Sequence, residues 1–351
     1  MLETIKHIPT KEEFHNEKFF FSYSSMVKLL TDPKQFYKDY ILREREDADH
    51  KYLKEGELFH CFVLEPEMFN EKFSLMSAKV PGGGLKDIID NIYKTHALPK
   101  ILEGEQNVSL ENFKHYILQE LISVNLYQTY ADDKKADKDG NQFTGDEKRI
   151  KKCITHETIE YFDTLCESTN KTVVDIEMVA KAKEKANLVL NNEECQKYLS
   201  KTHDSDVIQT EVELKTNFDD YKFGLKGIID CVKIDYENKV IYITDLKTTS
   251  KSLDQWYENF ETSEYIYWLQ VVLYKYLVQS LIKPDELKYW GMRITFTVID
   301  KSNNIYNFPV SQESLHKWET LAKEKLEIAN WHYNNHDYDL PYKYKQNIVK
   351  L

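Results

Sequence analysis

Two β-forming runs separated by a polar turn set the strongest constraint on how this chain folds. Gly224-Leu-Lys-Gly-Ile-Ile-Asp230 opens the first, Asp235-Tyr-Glu-Asn238 supplies the turn, and Val240-Ile-Tyr-Ile-Thr-Asp245-Leu-Lys247-Thr-Thr follows. Ile, Val and Tyr favour strands while Asp and Asn close turns, so the pair reads as a β-hairpin. Side chains alternate across a strand, which puts Asp245 and Lys247 on one face. Pairing through the turn can bring Asp230 alongside Asp245. Two carboxylates and one ammonium then converge, and clustered carboxylates repel unless a cation sits between them. Hard oxygen ligands of this kind suit Mg²⁺ or Mn²⁺.

An Asp-x-Lys on a strand is ordinarily a solvated face. Here Ile228, Ile229, Ile241 and Ile243 mark both strands as buried on at least one side. Buried acids need partners, which in this setting means a metal or each other. Gly224 and Gly227 fit close backbone approach better than they fit strand stability.

A length of 351 residues leaves ample material for a core. Hydrophobic residues at 41% and charged residues at 30% describe a globular chain without a disordered majority. The apolar runs stop short of the roughly 18 to 20 residues that span a bilayer. Met-Leu-Glu-Thr-Ile-Lys-His7 has no apolar signal core, so the expected location is the cytoplasm of whatever cell makes the chain. The five cysteines (Cys61, Cys153, Cys166, Cys195, Cys231) form no Cys-x-x-Cys pair, which speaks against zinc ribbons, thioredoxin-type chemistry and a four-cysteine iron–sulfur cluster. A net charge of −12 disfavours non-specific coating of nucleic acid but allows a basic channel in an acidic body.

Apolar spacing predicts helices over 23–42, 52–64 (ended by Pro66), 110–130 and 172–199, with Pro81-Gly-Gly-Gly84 as a loop. Ala131-Asp-Asp-Lys-Lys135-Ala-Asp137-Lys-Asp139-Gly140-Asn141 only faintly echoes a calcium loop with Asp146, and reads as a surface loop. Strands follow near 207–216, 222–235 and 239–246, then helices near 252–260 and 263–281, strands near 289–299 and 304–310, and a long helix near 311–334. The expected core is α/β, a mixed β-sheet flanked by helices with an N-terminal helical region. The expected organisation is a single domain over 1–351, with the helical part at about 1–200 and the catalytic core at about 200–335.

Three further elements carry polar residues where apolar ones would be expected. The helix containing Tyr265-Ile-Tyr-Trp-Leu-Gln270-Val-Val-Leu-Tyr274 is apolar almost all round, so it packs inside. Gln270 and Tyr274 share one face of it, and a buried Gln must be hydrogen-bonded, either to a backbone carbonyl or at a polar site. Gly56-Glu-Leu-Phe-His60-Cys-Phe-Val-Leu-Glu65-Pro places a histidine in an apolar helix. That is ordinarily structural, yet His60 is a competent metal ligand if its helix lies against the hairpin. In Phe21-Ser-Tyr-Ser24-Ser25-Met, Ser24 or Ser25 can cap the next helix, and a capped N-terminus can hold a phosphate.

Taken in order, the Ser-rich start, Gly-x-x-x-His60 with Leu-Glu-Pro, Gly-x-x-Gly-x-x-Asp230, Asp245-Leu-Lys247 and Gln270-x-x-x-Tyr274 resemble the PD-(D/E)xK nucleases of the RecB type. The segments around His60 and Ser25 look most like the exodeoxyribonuclease VIII branch of phage and prophage recombination. The likeness covers roughly 20–280, with 85–170 unmatched. It departs at Ile229, where the family has proline, and at Asp245, where Glu is commoner.

The resemblance implies a restriction-endonuclease-like fold and Mg²⁺-dependent hydrolysis of DNA, with Mn²⁺ as a substitute. Asp230, Asp245, His60 and the Leu246 carbonyl would hold the metal, Lys247 would orient the water, and Gln270 with Tyr274 would position the site. Glu211, on the preceding strand, is a weaker candidate for an extra ligand. The branch implies 5′-to-3′ exonuclease action on duplex ends, a ring-shaped homo-oligomer and a single-strand annealing protein as partner. Two alternatives stand beside it: a catalytically inactive nucleic-acid- or partner-binding protein of the same fold, and a structure-specific endonuclease.

Overall fold

The computed structural model describes residues 19–44, 51–76, 78–130, 145–218, 220–260 and 266–349. The N-terminal heptapeptide and the Ala131–Asn141 segment lie outside them. The chain divides into two compact units, Met1–Pro66 with Ala182–Leu351, and Glu67–Lys181.

The first unit is built on a six-stranded mixed sheet: β1 (Phe20–Phe21), β2 (Val207–Asn217), β3 (Gly224–Asp235), β4 (Val240–Thr248), β5 (Gly291–Ile299) and β6 (Ile305–Pro309). β2 runs antiparallel along one edge of β3. The other edge of β3 is shared, with β1 parallel to its start and β4 antiparallel to its end. β4 continues into parallel β5, and β5 into antiparallel β6. The architecture is therefore mixed α/β, a mixed sheet flanked by helices. The hairpin lies where its turn residues place it, closed by Asp235, whose carboxylate accepts from the Asn238 backbone and side-chain amides.

Five helices of this unit matter for the site: α1 (Tyr23–Thr31), α2 (Lys51–Leu64), α3 (Leu253–Glu258), α4 (Tyr267–Gln279) and α5 (Gln312–Asn335). α4 is buried on nearly every side, as its composition predicts, and packs on the sheet. Gly227 is what lets it approach: a Cβ there would lie 2.8 Å from Leu277 Cδ1 and 3.2 Å from Tyr274 Cε1. Gly224 is tighter still, since its Cβ would meet the Phe20 ring at 2.4 Å and the Thr216 carbonyl oxygen at 2.7 Å. Both glycines thus serve close approach.

Several boundaries differ from the sequence expectation, each for a local reason. The 23–42 helix breaks at Asp32-Pro33, because proline lacks an amide to continue the ladder, and resumes as short turns ending at Leu42. The cap of α1 is Ser22 rather than Ser24 or Ser25. Its hydroxyl accepts from the Ser25 amide at 3.3 Å while Ser25 Oγ accepts from the Ser22 amide at 2.8 Å, a reciprocal capping box. The 172–199 stretch forms a strand at Thr172–Val174 before helices Ile176–Leu190 and Glu193–Leu199.

The second unit pairs the short strands Phe73–Leu75 and Thr172–Val174 in parallel and packs helices around Ile88, Ile89, Ile92, Phe113, Ile117 and Phe162. Its helices over Gly84–Leu102 and Gly145–Glu167 are additions to the sequence expectation, and the 110–130 helix is confined to Lys114–Ser123 after a 3₁₀ turn. Buried Arg149 donates to the Leu121 and Leu126 carbonyls at 2.9 and 3.1 Å, tying down the turn that follows that helix. No helix among the described residues is long and apolar enough to cross a membrane.

Candidate metal centre

The candidate site forms where β3 and β4 part. Their ladder pairs Asp235 with Val240 and ends at Cys231 with Thr244, so Asp230 and Asp245 occupy the next, open rung. Beyond it β4 pairs, among the described residues, with β5 alone, through Thr248. The Leu246 amide, freed from the ladder, donates instead to Asp230 Oδ2 at 2.6 Å. A side-chain carboxylate thus replaces a backbone carbonyl, and Asp230 is held in the fork.

On the other edge of β3 the register places Glu211 opposite Asp230, between the pairs Thr210–Cys231 and Val212–Ile229. Glu211 adopts φ 48°, in the left-handed region. For a residue other than glycine or asparagine that costs on the order of 1–2 kcal/mol, and such strain concentrates at functional sites. The alternation of β3 slips here. Gly227 faces α4 before Asp230, whereas beyond Asp230 Val232 and Ile234 pair with Ile243 and Ile241 on the α4 side, and Cys231 and Lys233 turn to the backbone of Tyr198 and Lys197.

α2 brings the fourth group. Leu58, Phe59, Cys61 and Phe62 are buried, and His60 projects toward the end of β4. Its Nε2 lies 3.0 Å from the Leu246 carbonyl oxygen. A carbonyl can only accept, so Nε2 carries the proton and the Nδ1 lone pair faces Asp230 Oδ1, 3.7 Å away. Burial, then the Lys247 ammonium, lowers the pKa of His60 and keeps the ring neutral. Donor atoms of His60, Glu211 and Asp230 all lie within 4.8 Å of one another.

Asp245 stands beside this cluster, held differently. Its Oδ1 accepts from Gln270 Nε2 at 2.8 Å, and Lys247 Nζ lies 2.6 Å from Oδ2 as an ion pair. Gln270 Nε2 also donates to Tyr274 Oη at 2.9 Å, and Tyr274 donates to the Ile228 carbonyl at 2.7 Å. The i, i+4 pair of α4 therefore links both strands of the fork. Gln270 Oε1 is buried with no hydrogen-bond partner among the described residues. The Lys247 ammonium also lies 5.6 Å from the centre of the Tyr267 ring.

Burial pushes the carboxyls of Asp230 and Asp245 up to about 6 against the pull of Lys247. Lys247 itself is raised because both carboxylates outweigh its burial. Ser25 is buried inside its capping box, and Ser24 lies in the first turn of α1. Tyr23, beside them, stacks on Tyr267 at 6.5 Å. Cys61, Cys153, Cys195 and Cys231 are buried, and burial lifts the thiols of Cys153, Cys166 and Cys231 to about 12.

Tyr267 was not singled out from sequence, though a signal exists. Residues 267, 270 and 274 follow the i, i+3, i+7 spacing of one helix face. Ser22 as the cap was legible from the Ser-x-x-Ser spacing it forms with Ser25.

No protein-family model matches the chain, and no curated protein matches it. Among solved structures, the crystal structure of a putative exonuclease from Eubacterium rectale is similar at a TM-score of 0.45 and 11% identity, over 94% of this chain and 88% of that one.

Proposed function

We propose that this protein is a metal-dependent deoxyribonuclease that hydrolyses DNA phosphodiester bonds at the fork between β3 and β4, on a restriction-endonuclease-like fold. The observation that carries the reading is the convergence of His60, Glu211 and Asp230 within 4.8 Å, next to the Asp245–Lys247 pair. Two carboxylates and a neutral imidazole suit Mg²⁺ or Mn²⁺. The carboxyls of Asp230 and Asp245, pushed up to about 6, lack enough compensating charge when ionised, and a divalent cation supplies it. A bound cation would polarise a phosphoryl oxygen and acidify water, the general contribution of such ions to hydrolysis.

The chain's own groups account for the rest. The Leu246 carbonyl fixes the tautomer of His60, as carbonyls commonly do for ligating histidines, so the Nδ1 lone pair is ready for the cation. With Nε2 bonded to that carbonyl, the Leu246 oxygen lies on the far side of the ring from Nδ1, so it orients the histidine rather than ligating the same cation, contrary to the sequence expectation. The Leu246 amide fixes Asp230. Lys247 orients the attacking water and offsets charge developing on the phosphoryl group. Gln270 holds Asp245, Tyr274 holds Gln270, and Asp245 holds Lys247.

The finer reading rests on the sequence resemblance alone: 5′-to-3′ digestion of duplex ends in phage-type recombination, in the cytoplasm, by a ring-shaped homo-oligomer working with a single-strand annealing protein. The first experiment is incubation of wild type and Asp230→Asn with linear and closed-circular duplex, with Mg²⁺ and with chelator. Wild type is expected to degrade the linear DNA only, and only with metal. Cleavage of the circle assigns an endonuclease. Intact DNA of both forms with Mg²⁺ and with Mn²⁺ overturns the reading.

A further inference from the structure

The strand row that carries Asp245 does not end there. Asp245 pairs with Phe296 on β5, and Phe296 pairs with Phe308 on β6. Paired residues share a sheet face, and strands lie about 4.8 Å apart, so Phe308 stands about 10 Å from Asp245 along one line. A cavity of about 820 Å³ opens over this end of the row, against α3 and the start of α5. That is within the range of about 300–1,000 Å³ typical of small-ligand sites.

A row of aromatic contacts leads from its lining back to Lys247. Lys247 lies over the Tyr267 ring, Tyr267 stacks on Trp256 at 5.7 Å, and Trp256 meets Phe308 at 5.0 Å. Tyr257 lies parallel to Phe308 at 5.9 Å and 11°. Tyr257 and Tyr306, which meets Phe308 edge-on, are 66% and 54% exposed. Exposed tyrosines over a buried aromatic floor are costly in water and are the usual platform for a flat π-face.

We propose that this groove binds unpaired nucleobases of the DNA strand being cut, one or two nucleotides from the scissile phosphate. The inference rests on the nuclease reading and names its substrate class as single-stranded DNA at the site. Asp254 and Glu258 line the cavity, and their charge turns away the phosphate backbone. Carboxylates can, however, accept from the exocyclic amino groups of cytosine or adenine. Stacking needs no positive surface, so the groove also fits a chain of net charge −12.

The test is binding in chelator, where cleavage does not contribute. A fluorescein-labelled oligo(dC) and an abasic strand of equal length are titrated against the full-length wild type and Tyr257→Ala/Tyr306→Ala. The double variant removes exposed rings only, and its melting temperature is measured alongside. Wild type is expected to bind oligo(dC) at least about tenfold tighter than the abasic strand, as stacking magnitudes imply, and the double variant to lose that preference. Equal affinity of wild type for both strands overturns the proposal, as does an unchanged preference in a folded double variant. Base-dependent binding without any Mg²⁺-dependent cleavage leaves the groove standing and removes the nuclease. Cleavage without base-dependent binding does the reverse.

Discussion

The Leu246 amide donates to the Asp230 carboxylate at 2.6 Å, at the first rung beyond the end of the β3–β4 ladder. A strand that leaves its neighbour strands its own amides, and a buried orphan amide is costly. Asp230 answers that need with one oxygen and turns the other toward His60. One residue therefore ends the pairing and begins the site.

Asp230→Asn keeps an acceptor for Leu246 and removes the charge. Cleavage is expected to fall by several orders of magnitude with the fold intact, and the metal-free melting temperature to hold or rise, because a poorly compensated buried charge has gone. Single-turnover rates beside circular dichroism melts check both halves. Near-normal activity in the variant rejects the site.

The raised carboxyls make the metal-free protein sensitive to pH in a stated direction. Asp230 and Asp245 move from 3.8 to about 6 on folding, so the stability they contribute is full below about pH 4 and is lost as the pH rises through 6. Melts in chelator across that window should show the decline, and Asp230→Asn should reduce it. Mn²⁺ affinity should rise over the same window, since the cation must displace the protons, and calorimetry in buffers of different ionisation heat reads that release.

His60 is half-buried, and its ring is held by one hydrogen bond to a backbone carbonyl. His60→Ala is expected to weaken Mn²⁺ binding at least about tenfold, the scale of losses at such positions, with little change in melting temperature. Normal metal binding with a large loss of stability assigns the residue to packing instead.

Lys247→Ala separates binding from chemistry. The variant should bind Mg²⁺ and DNA ends within a few-fold of wild type, and its cleavage rate should drop by about two to three orders of magnitude. Removing the ammonium also removes what holds Asp245 down, so the acid limb of Mg²⁺ binding should move to higher pH. A loss of DNA affinity with a salt slope smaller by about one charge, and an unchanged rate at saturation, makes Lys247 a phosphate anchor.

Gly227→Ala probes the contact between α4 and the fork without touching a polar group. Its methyl would overlap Leu277 and crowd Tyr274, which must give way. Destabilisation of about 1–3 kcal/mol is expected from such overpacking. A lowered turnover rate with unchanged metal affinity would show that the Tyr274–Gln270–Asp245 chain transmits the shift. Chemical denaturation and single-turnover kinetics give the two numbers.

Local pattern carried much of this protein. The β-branched runs and the Asp235–Asn238 turn made the hairpin legible, and strand alternation put Lys247 beside Asp245. The all-apolar surface of α4 announced an interior helix, and the i, i+4 spacing of Gln270 and Tyr274 announced a shared task, because periodicity is a property of the chain near each residue. Tertiary structure decided the rest. Glu211 joins the cluster through inter-strand register and a left-handed backbone, and neither leaves a trace in its neighbours' sequence. The tautomer of His60 depends on a carbonyl 186 positions away. Asp245 is tied to Gln270 and Lys247 while Asp230 faces His60. The alignment of Asp245 with Phe296 and Phe308 likewise exists only once three strands are laid side by side. Alternation and helical spacing determine which face each residue takes. Which faces meet is set by the burial of the whole core, which no window of sequence contains.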